Sequence, residues 1–218
     1  MSAAEVARDQ TDMTALAIAC AMAFLAGATD ICGLSRLHTL FVSFMSGNTT
    51  MLAFALGQGD FPRAGVIAGL VGLFVGGATI GTIIAVLSGR HHAAVVAFVV
   101  TIMLAVPLFW SGVTIAALTI AMGMLNAAMQ RAGATGVSLT YVTGTLVKIA
   151  QGLGHCICGR DDGSSWKLQG LLWLALLAGA AAATLMQSRL GADTLWPLPL
   201  IALLLAMITA SRPEPARL

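Results

Sequence analysis

Apolar residues fill this chain in long runs, and polar residues break those runs only briefly. Eight stretches stand out: Met13–Ala28, Leu40–Leu56, Ala64–Leu87, Ala93–Trp110, Val113–Ala128, Val137–Leu153, Leu168–Met186 and Leu195–Thr209. A helix needs about 20 apolar residues to cross a bilayer, and most of these runs approach that length. None shows the alternation of roughly ten-residue segments that a membrane barrel requires. The separators are turn-like: Gly57 to Arg63, Gly89-Arg90-His91-His92, Gln130-Arg131, and His155 to Lys167. Ser111-Gly112 is a thin separator, and some runs are short, so a strict length criterion gives six or seven crossings instead of eight.

Composition says what surrounds these helices. Of 218 residues, 58% are hydrophobic and 9% charged, against roughly 25% charged in a soluble domain. So few charges cannot cover a water-facing surface, and lipid is the partner implied. In lipid all backbone polar groups must be paired internally, which predicts an all-α polytopic bundle. The net charge of +2 is scattered through the loops and offers no nucleic-acid surface. The leader 1–12 carries Glu5, Arg8, Asp9 and Asp12. It lacks the positive region of a secretory signal, so Met13–Ala28 is expected to be retained as the first helix. With eight spans, the positive-inside rule puts both termini in the cytoplasm. Arg8, Arg63, Arg160, Lys167, Arg212 and Arg217 then lie inside, and Arg36, Arg90, Arg131 and Arg189 outside.

The chain also repeats itself. Val42-Ser43-Phe44-Met45-Ser46-Gly47-Asn48 matches Leu139-Thr140-Tyr141-Val142-Thr143-Gly144-Thr145 in the order aliphatic, hydroxyl, aromatic, aliphatic, hydroxyl, glycine, small polar. Upstream, Asp30 and Arg36 correspond to Asn126 and Arg131. Downstream, Leu56-Gly57 corresponds to Leu153-Gly154, and Gly76-Gly77-Ala78 to Gly179-Ala180-Ala181. This divides the chain into a leader 1–12, repeats 13–110 and 113–210, and a tail 211–218. Four crossings per repeat would relate the halves about the membrane normal. One re-entrant segment per repeat would invert them.

Ala26-Gly27-Ala28-Thr29-Asp30, Ser46-Gly47-Asn48, Leu125 to Arg131 and Thr143-Gly144-Thr145 together resemble the YoaK family of bacterial membrane proteins, a family with a domain of unknown function. The resemblance spans nearly the whole chain and implies a multi-pass inner-membrane protein. Family members usually carry Thr where this chain has Ser46. The resemblance supplies no reaction and no substrate.

Candidate chemistry lies in the repeated polar set. An unpaired carboxylate at mid-bilayer costs about 2.5–3.5 kcal/mol, so Asp30 needs a partner or a task. Arg36, Arg131, Asn126 and backbone N–H groups are the expected donors. The bland alternative puts Asp30 at the headgroups. Ser46, Gly47 and Asn48, with Thr143, Gly144 and Thr145, suit a broken helix whose restart exposes N–H groups to a small polar or anionic solute. Close packing around Gly47 and Gly144 is the commoner use of such motifs. Gly65/Gly69, Gly72/Gly76 and Gly77/Gly81 are expected to bring helices together, and could support a homo-oligomer. Lys148 is expected to snorkel. His155, Cys156 and Cys158 lack the C-x-x-C spacing of a zinc site, and no metal is assigned. There is no nucleophile elbow, Walker motif or dinucleotide fingerprint, so neither an enzyme nor a cofactor is expected. A small secondary transporter or channel is the leading reading, with Asp30 carrying a coupling proton or pairing with Arg36. A membrane scaffold or accessory protein without transport is the alternative.

Overall fold

A computed structural model describes residues 3–37, 39–132, 142–160, 164–191 and 195–211. Among them there is no strand. The helices are α1 (Ala3–Leu37), α2 (Met45–Gly57), α3 (Phe61–Leu87), α4 (His92–Phe109), α5 (Thr114–Ala132), α6 (Val142–Ile157), α7 (Ser164–Leu190) and α8 (Pro197–Ala210). The protein is an all-α polytopic bundle. Four helices are long and apolar enough to cross a membrane, those at Leu16–Leu37, Phe61–Leu87, His92–Phe109 and Trp166–Leu190; Ser111–Ala127 and Pro197–Ala210 are shorter apolar helices. Large apolar side chains such as Val75, Ile83, Phe98, Leu174 and Leu204 point outward, as a bilayer requires. Thr79, Thr82 and Thr184 are exposed too, and each hydroxyl donates to the carbonyl four residues back.

Two boundaries differ from the sequence pattern. The first helix does not end near Ala28 but continues to Leu37, so Asp30 and Arg36 are both helical. The second apolar run is not one helix. Residues 39–44 are non-helical, and α2 begins only at Met45. Leu40, Phe41 and Val42 are apolar enough for either conformation, and hydropathy cannot separate the two. The turn into α3 is well marked: Gly59 adopts φ +73°, Asp60 accepts the Arg63 N–H at 3.1 Å, and Pro62 sits in the first turn.

Close glycine contacts fix how the helices cross. A methyl carbon placed on Gly27 would lie 2.1 Å from the Leu176 carbonyl oxygen, and one on Gly179 would lie 2.0 Å from that of Phe24. These contacts join α1 to α7. Joining α3 to α5, a methyl on Gly123 would lie 2.2 Å from the Phe74 oxygen, and one on Gly77 2.3 Å from the Ile120 oxygen. Backbones approach this closely only where there is no Cβ. Gly81 lies against Met124, one turn beyond Gly77 and Ile120, so α3 and α5 run in the same direction. Gln187 donates to Cys32 Sγ at 3.3 Å, two turns beyond Gly179 and Phe24, so α1 and α7 also run parallel. Gly65, Gly69, Gly72 and Gly76 meet nothing within 4 Å. Among the described residues, Gly77/Gly81 is the glycine pair on α3 that lies against a facing helix.

One end of the bundle collects Arg36 from the end of α1, Gly65 from the start of α3, Pro107 from the end of α4, Gly112 just before α5 and Leu195 just before α8 around one cavity. At that same end Arg63 donates to Thr39 Oγ1 at 3.1 Å. The chain therefore enters α3 where it left α1, and α2 is an excursion from that end. Being parallel to α3, α5 runs away from it. Being parallel to α1, α7 returns to it. So α6, joining the far end of α5 to the far end of α7, is an excursion from the opposite end. The main core packs Met22 and Leu25 of α1, Val96, Val100 and Leu104 of α4, Leu118, Met122 and Leu125 of α5, and Leu198 and Leu205 of α8. A second cluster holds the α2–α3 hairpin together through Leu40, Ala55, Ala64, Ile67 and Leu70.

Candidate functional site

Unwinding the chain at 39–44 frees backbone groups that lipid cannot satisfy. Two polar side chains take them up. Asp30, on α1, accepts the Val42 N–H at 3.0 Å and the Ser43 N–H at 2.8 Å through Oδ1, while the Ser43 hydroxyl donates to Oδ2 at 2.5 Å. Asn48, on the first turn of α2, is fully buried. Its Oδ1 accepts the Phe41 N–H at 3.1 Å, and its Nδ2 donates to the Phe41 carbonyl at 2.6 Å. The segment is thus clamped from both flanks at successive residues.

Glycines and aromatics seat it. A methyl carbon on Gly33 would lie 2.6 Å from Val42 Cγ1, and one on Gly47 would lie 2.6 Å from the Phe44 ring. Gly33 lets the segment lie directly on α1, and Gly47 lets the Phe44 ring fold over the start of α2. Phe41 and Phe44 meet edge to face, with centroids 5.4 Å apart. Val42 and Ser43 are buried.

Of the residues expected to form a site, the structure brings Asp30, Gly47 and Asn48 together around one segment. Arg36 lies one to two turns further along α1, where Nη1 donates to the Cys32 carbonyl at 2.8 Å. It stands at the rim of the end cavity. Ser46 is exposed, as are Thr49 and Thr50, whose hydroxyls bond to the carbonyls of Met45 and Ser46. In the second half Asn126 is buried and donates to the Met122 carbonyl at 2.9 Å. Gly144 and Thr145 are buried and Thr143 is exposed. Arg131 lies in the last turn of α5, but its side chain, like the motif residues Leu139, Thr140 and Tyr141, lies outside the described residues.

Ser43 belongs to the cluster although its place in the sequence does not single it out. It contributes both an N–H and a hydroxyl to Asp30. The signal was present, since Ser43 is the first hydroxyl of the repeated motif, but nothing local links it to a carboxylate thirteen residues earlier. Chemically, the cluster is a carboxylate with three donors from one non-helical segment. An ionised carboxylate only accepts, so its charge state and the position of that segment are linked.

The chain's relatives agree with a membrane protein. Residues 18–208 match the family model described as protein of unknown function (DUF1275). The chain is similar to the UPF0700 transmembrane protein RA0705 of Rhizobium meliloti (strain 1021), with 34% identity over 193 residues that cover 87% of this chain and 84% of that one. No solved structure matches. With a match over nearly its whole length and a transmembrane relative of the same span, the chain belongs to the DUF1275 family.

Proposed function

We propose that this is a six-span secondary transporter or channel of the bacterial inner membrane for a small polar or anionic solute, without enzymatic activity. Its halves, 13–110 and 113–210, are read as inverted repeats, each with one re-entrant hairpin. The observation that carries this reading is the non-helical backbone at 39–44, held beside α1 by Asp30 and Asn48. Backbone of that kind is tolerated at membrane depth where it is buried in protein or lines a cavity, and broken helices of this sort build transporter sites.

The crossings support the repeat. Phe24, Gly27 and Asp30 stand in the same spacing as Ile120, Gly123 and Asn126, and Phe74, Gly77 and Ala78 in the same spacing as Leu176, Gly179 and Ala180. Gly27 packs on Leu176 and Ala180, while Gly123 packs on Phe74 and Ala78; Gly179 packs on Phe24, while Gly77 packs on Ile120. Exchanging the halves maps each contact onto another. Since α1 runs toward the cavity end and α5 away from it, the exchange axis lies in the membrane plane. Charge supports the same topology. With six spans, Arg8, Arg90, Arg131, Lys148, Arg160, Lys167, Arg212 and Arg217 belong to one side, leaving Arg36, Arg63 and Arg189 on the cavity side. That bias is stronger than eight spans give, and it makes the side bearing the termini cytoplasmic.

In this reading Asp30, Ser46, Gly47 and Asn48 form one half-site, and Asn126, Thr143, Gly144 and Thr145 its mate. Arg36 and Arg131 stand near opposite mouths. Purified protein in proteoliposomes, assayed against a panel of small anions and polar solutes, tests this. A flux that Asp30→Asn abolishes without unfolding the protein is expected. The alternative, a scaffold without transport, is favoured by one observation: Asp30 and Asn48 spend their hydrogen bonds on their own chain. It gives no flux for any solute, with substitutions altering stability alone.

A further inference from the structure

The hairpin of α6 and α7 carries polar groups that the α2–α3 hairpin lacks. Between α2 and α3 the contact is hydrocarbon, with Ala55, Ala64 and Ile67 in one apolar cluster. Where α6 meets α7, a methyl carbon on Gly152 would lie 2.4 Å from Trp166 Cβ. The two helices are antiparallel, so one turn from that contact Lys148 on α6 is level with Gln169 and Gly170 on α7. The hairpin does not close there: a methyl carbon on Gly170 would meet nothing within 4 Å. Gln169 is 5% exposed. Its Oε1 and the Trp166 Nε1 are buried without a hydrogen-bond partner among the described residues. Buried polar side-chain atoms are rarely left so.

Lys148 stands on the same side of α6. Gly144, Lys148 and Gly152 are four residues apart and share one face of the helix; both glycines are buried, while Lys148 is exposed. The exposed apolar residues Leu146, Leu153 and Ile157 lie roughly 140–180° around the helix from it at 3.6 residues per turn. The lysine therefore opens toward the protein and not toward lipid, as an intramembrane charge must. We propose that Lys148, Trp166 and Gln169 bind a small oxyanion that carries a hydroxyl of its own, a hydroxycarboxylate. The ammonium supplies charge, and the indole N–H can only donate, so both call for anionic oxygen. The amide oxygen can only accept, so it calls for a donor, which a plain carboxylate lacks. Three residues apart on one helix, Trp166 and Gln169 have Cβ atoms about 5–6 Å apart, a span that the two functional groups of one small molecule cover. A second ammonium, Lys167 Nζ at 6.0 Å from the Trp166 ring centre, adds to the positive potential.

The test is a titration of ¹⁵N-tryptophan-labelled protein in phosphatidylcholine nanodiscs, with the Trp166 indole N–H resonance assigned by Trp166→Phe. Glycolate is expected to shift that resonance saturably. It should bind about tenfold more tightly than acetate, which lacks the hydroxyl, or glycerol, which lacks the charge, the worth of one charged hydrogen bond. Gln169→Leu brings glycolate down to the level of acetate, and Lys148→Met brings it down to the level of glycerol. Should Gln169→Leu not fold, Gln169→Met makes the same comparison. No saturable shift with glycolate overturns the proposal, as does equal binding of glycerol or undiminished glycolate binding in Lys148→Met. Discs containing phosphatidylglycerol are expected to give the same glycolate affinity. Loss of binding there would make the lipid headgroup the occupant and overturn the assignment to a free solute. The proposal deepens the reading of an anionic solute, but binding alone tests it: flux without an indole shift would sink this site and leave that reading standing.

Discussion

Asp30 and Asn48 hold adjacent peptide units of one non-helical segment, Asp30 through the N–H groups of Val42 and Ser43 and Asn48 through both polar groups of Phe41. Asp30→Ala should leave three donors without their acceptor and destabilise the protein by roughly 3 kcal/mol, since each buried unpaired group costs about 1–3 kcal/mol. Asp30→Asn keeps an oxygen for the two N–H groups and offers an N–H to the Ser43 oxygen, so it should cost less than about 1 kcal/mol. Thermal unfolding in detergent compares the two. Equal losses would mean that charge matters more than hydrogen bonding.

Asn48 must both donate and accept, which few substitutions reproduce. Asn48→Ala should cost roughly 2 kcal/mol, and Asn48→Asp at least as much, because a carboxylate cannot donate to the Phe41 carbonyl. Because Asp30 and Asn48 hold the same segment, their alanine substitutions should not add. A double-mutant cycle should give a coupling of about 0.5–3 kcal/mol. Strict additivity would show that 39–44 is not one mechanical unit.

The glycine crossings separate positions that look alike in sequence. Alanine at Gly27, Gly123, Gly77 or Gly179 would drive a methyl to within 2.0–2.3 Å of a carbonyl oxygen on the facing helix. Each should destabilise the protein by at least about 2 kcal/mol, as overpacking against backbone does. Alanine at Gly72 or Gly76 meets nothing within 4 Å and should be neutral or stabilising by up to about 1 kcal/mol. Unfolding midpoints of the six variants decide it.

The two hairpins, α2 with α3 and α6 with α7, allow a test by compensation. In the first hairpin the small pair Ala55 and Ala64 packs between α2 and α3. In the second, a methyl on Gly152 would lie 2.4 Å from Trp166 Cβ, so a glycine faces a tryptophan. Gly152→Ala alone should be destabilising. Trp166→Gly removes the Cβ that the new methyl would strike, so Gly152→Ala with Trp166→Gly should be less destabilised than the sum of the two single changes, whereas strict additivity would show that the two positions do not press on each other.

The sequence made some of this legible. Long apolar runs identify α3, α4, α7 and α8 because their hydropathy is unbroken. Asp30 and Asn48 stand out as polar groups in apolar surroundings, but their partners are backbone atoms in a segment that could be helical or extended. The end of α1 was hidden because Asp30 and Arg36 resemble an interface, although Arg36 sits in the last helical turn. Gly77 and Gly179 are the glycines that lie against facing carbonyls, whereas Gly76 meets nothing within 4 Å, a distinction of one residue that small-residue clusters cannot resolve. Nor does the spacing of glycines tell Gly77 and Gly81, which face α5, from Gly65, Gly69, Gly72 and Gly76, which do not.

Six spans with inverted halves and eight spans with parallel halves place two turns on opposite sides of the membrane. Thiol accessibility reads this directly in a background carrying Cys156→Ser and Cys158→Ser, since both native thiols are exposed. Gln58→Cys and Ser88→Cys, in the turns that flank α3, are treated in intact cells with a membrane-impermeant thiol reagent. The inverted six-span arrangement predicts that Gln58→Cys reacts in intact cells and that Ser88→Cys reacts only after lysis. The opposite result, with Ser88→Cys reacting in intact cells and Gln58→Cys protected, would make α2 a full crossing and contradict the account.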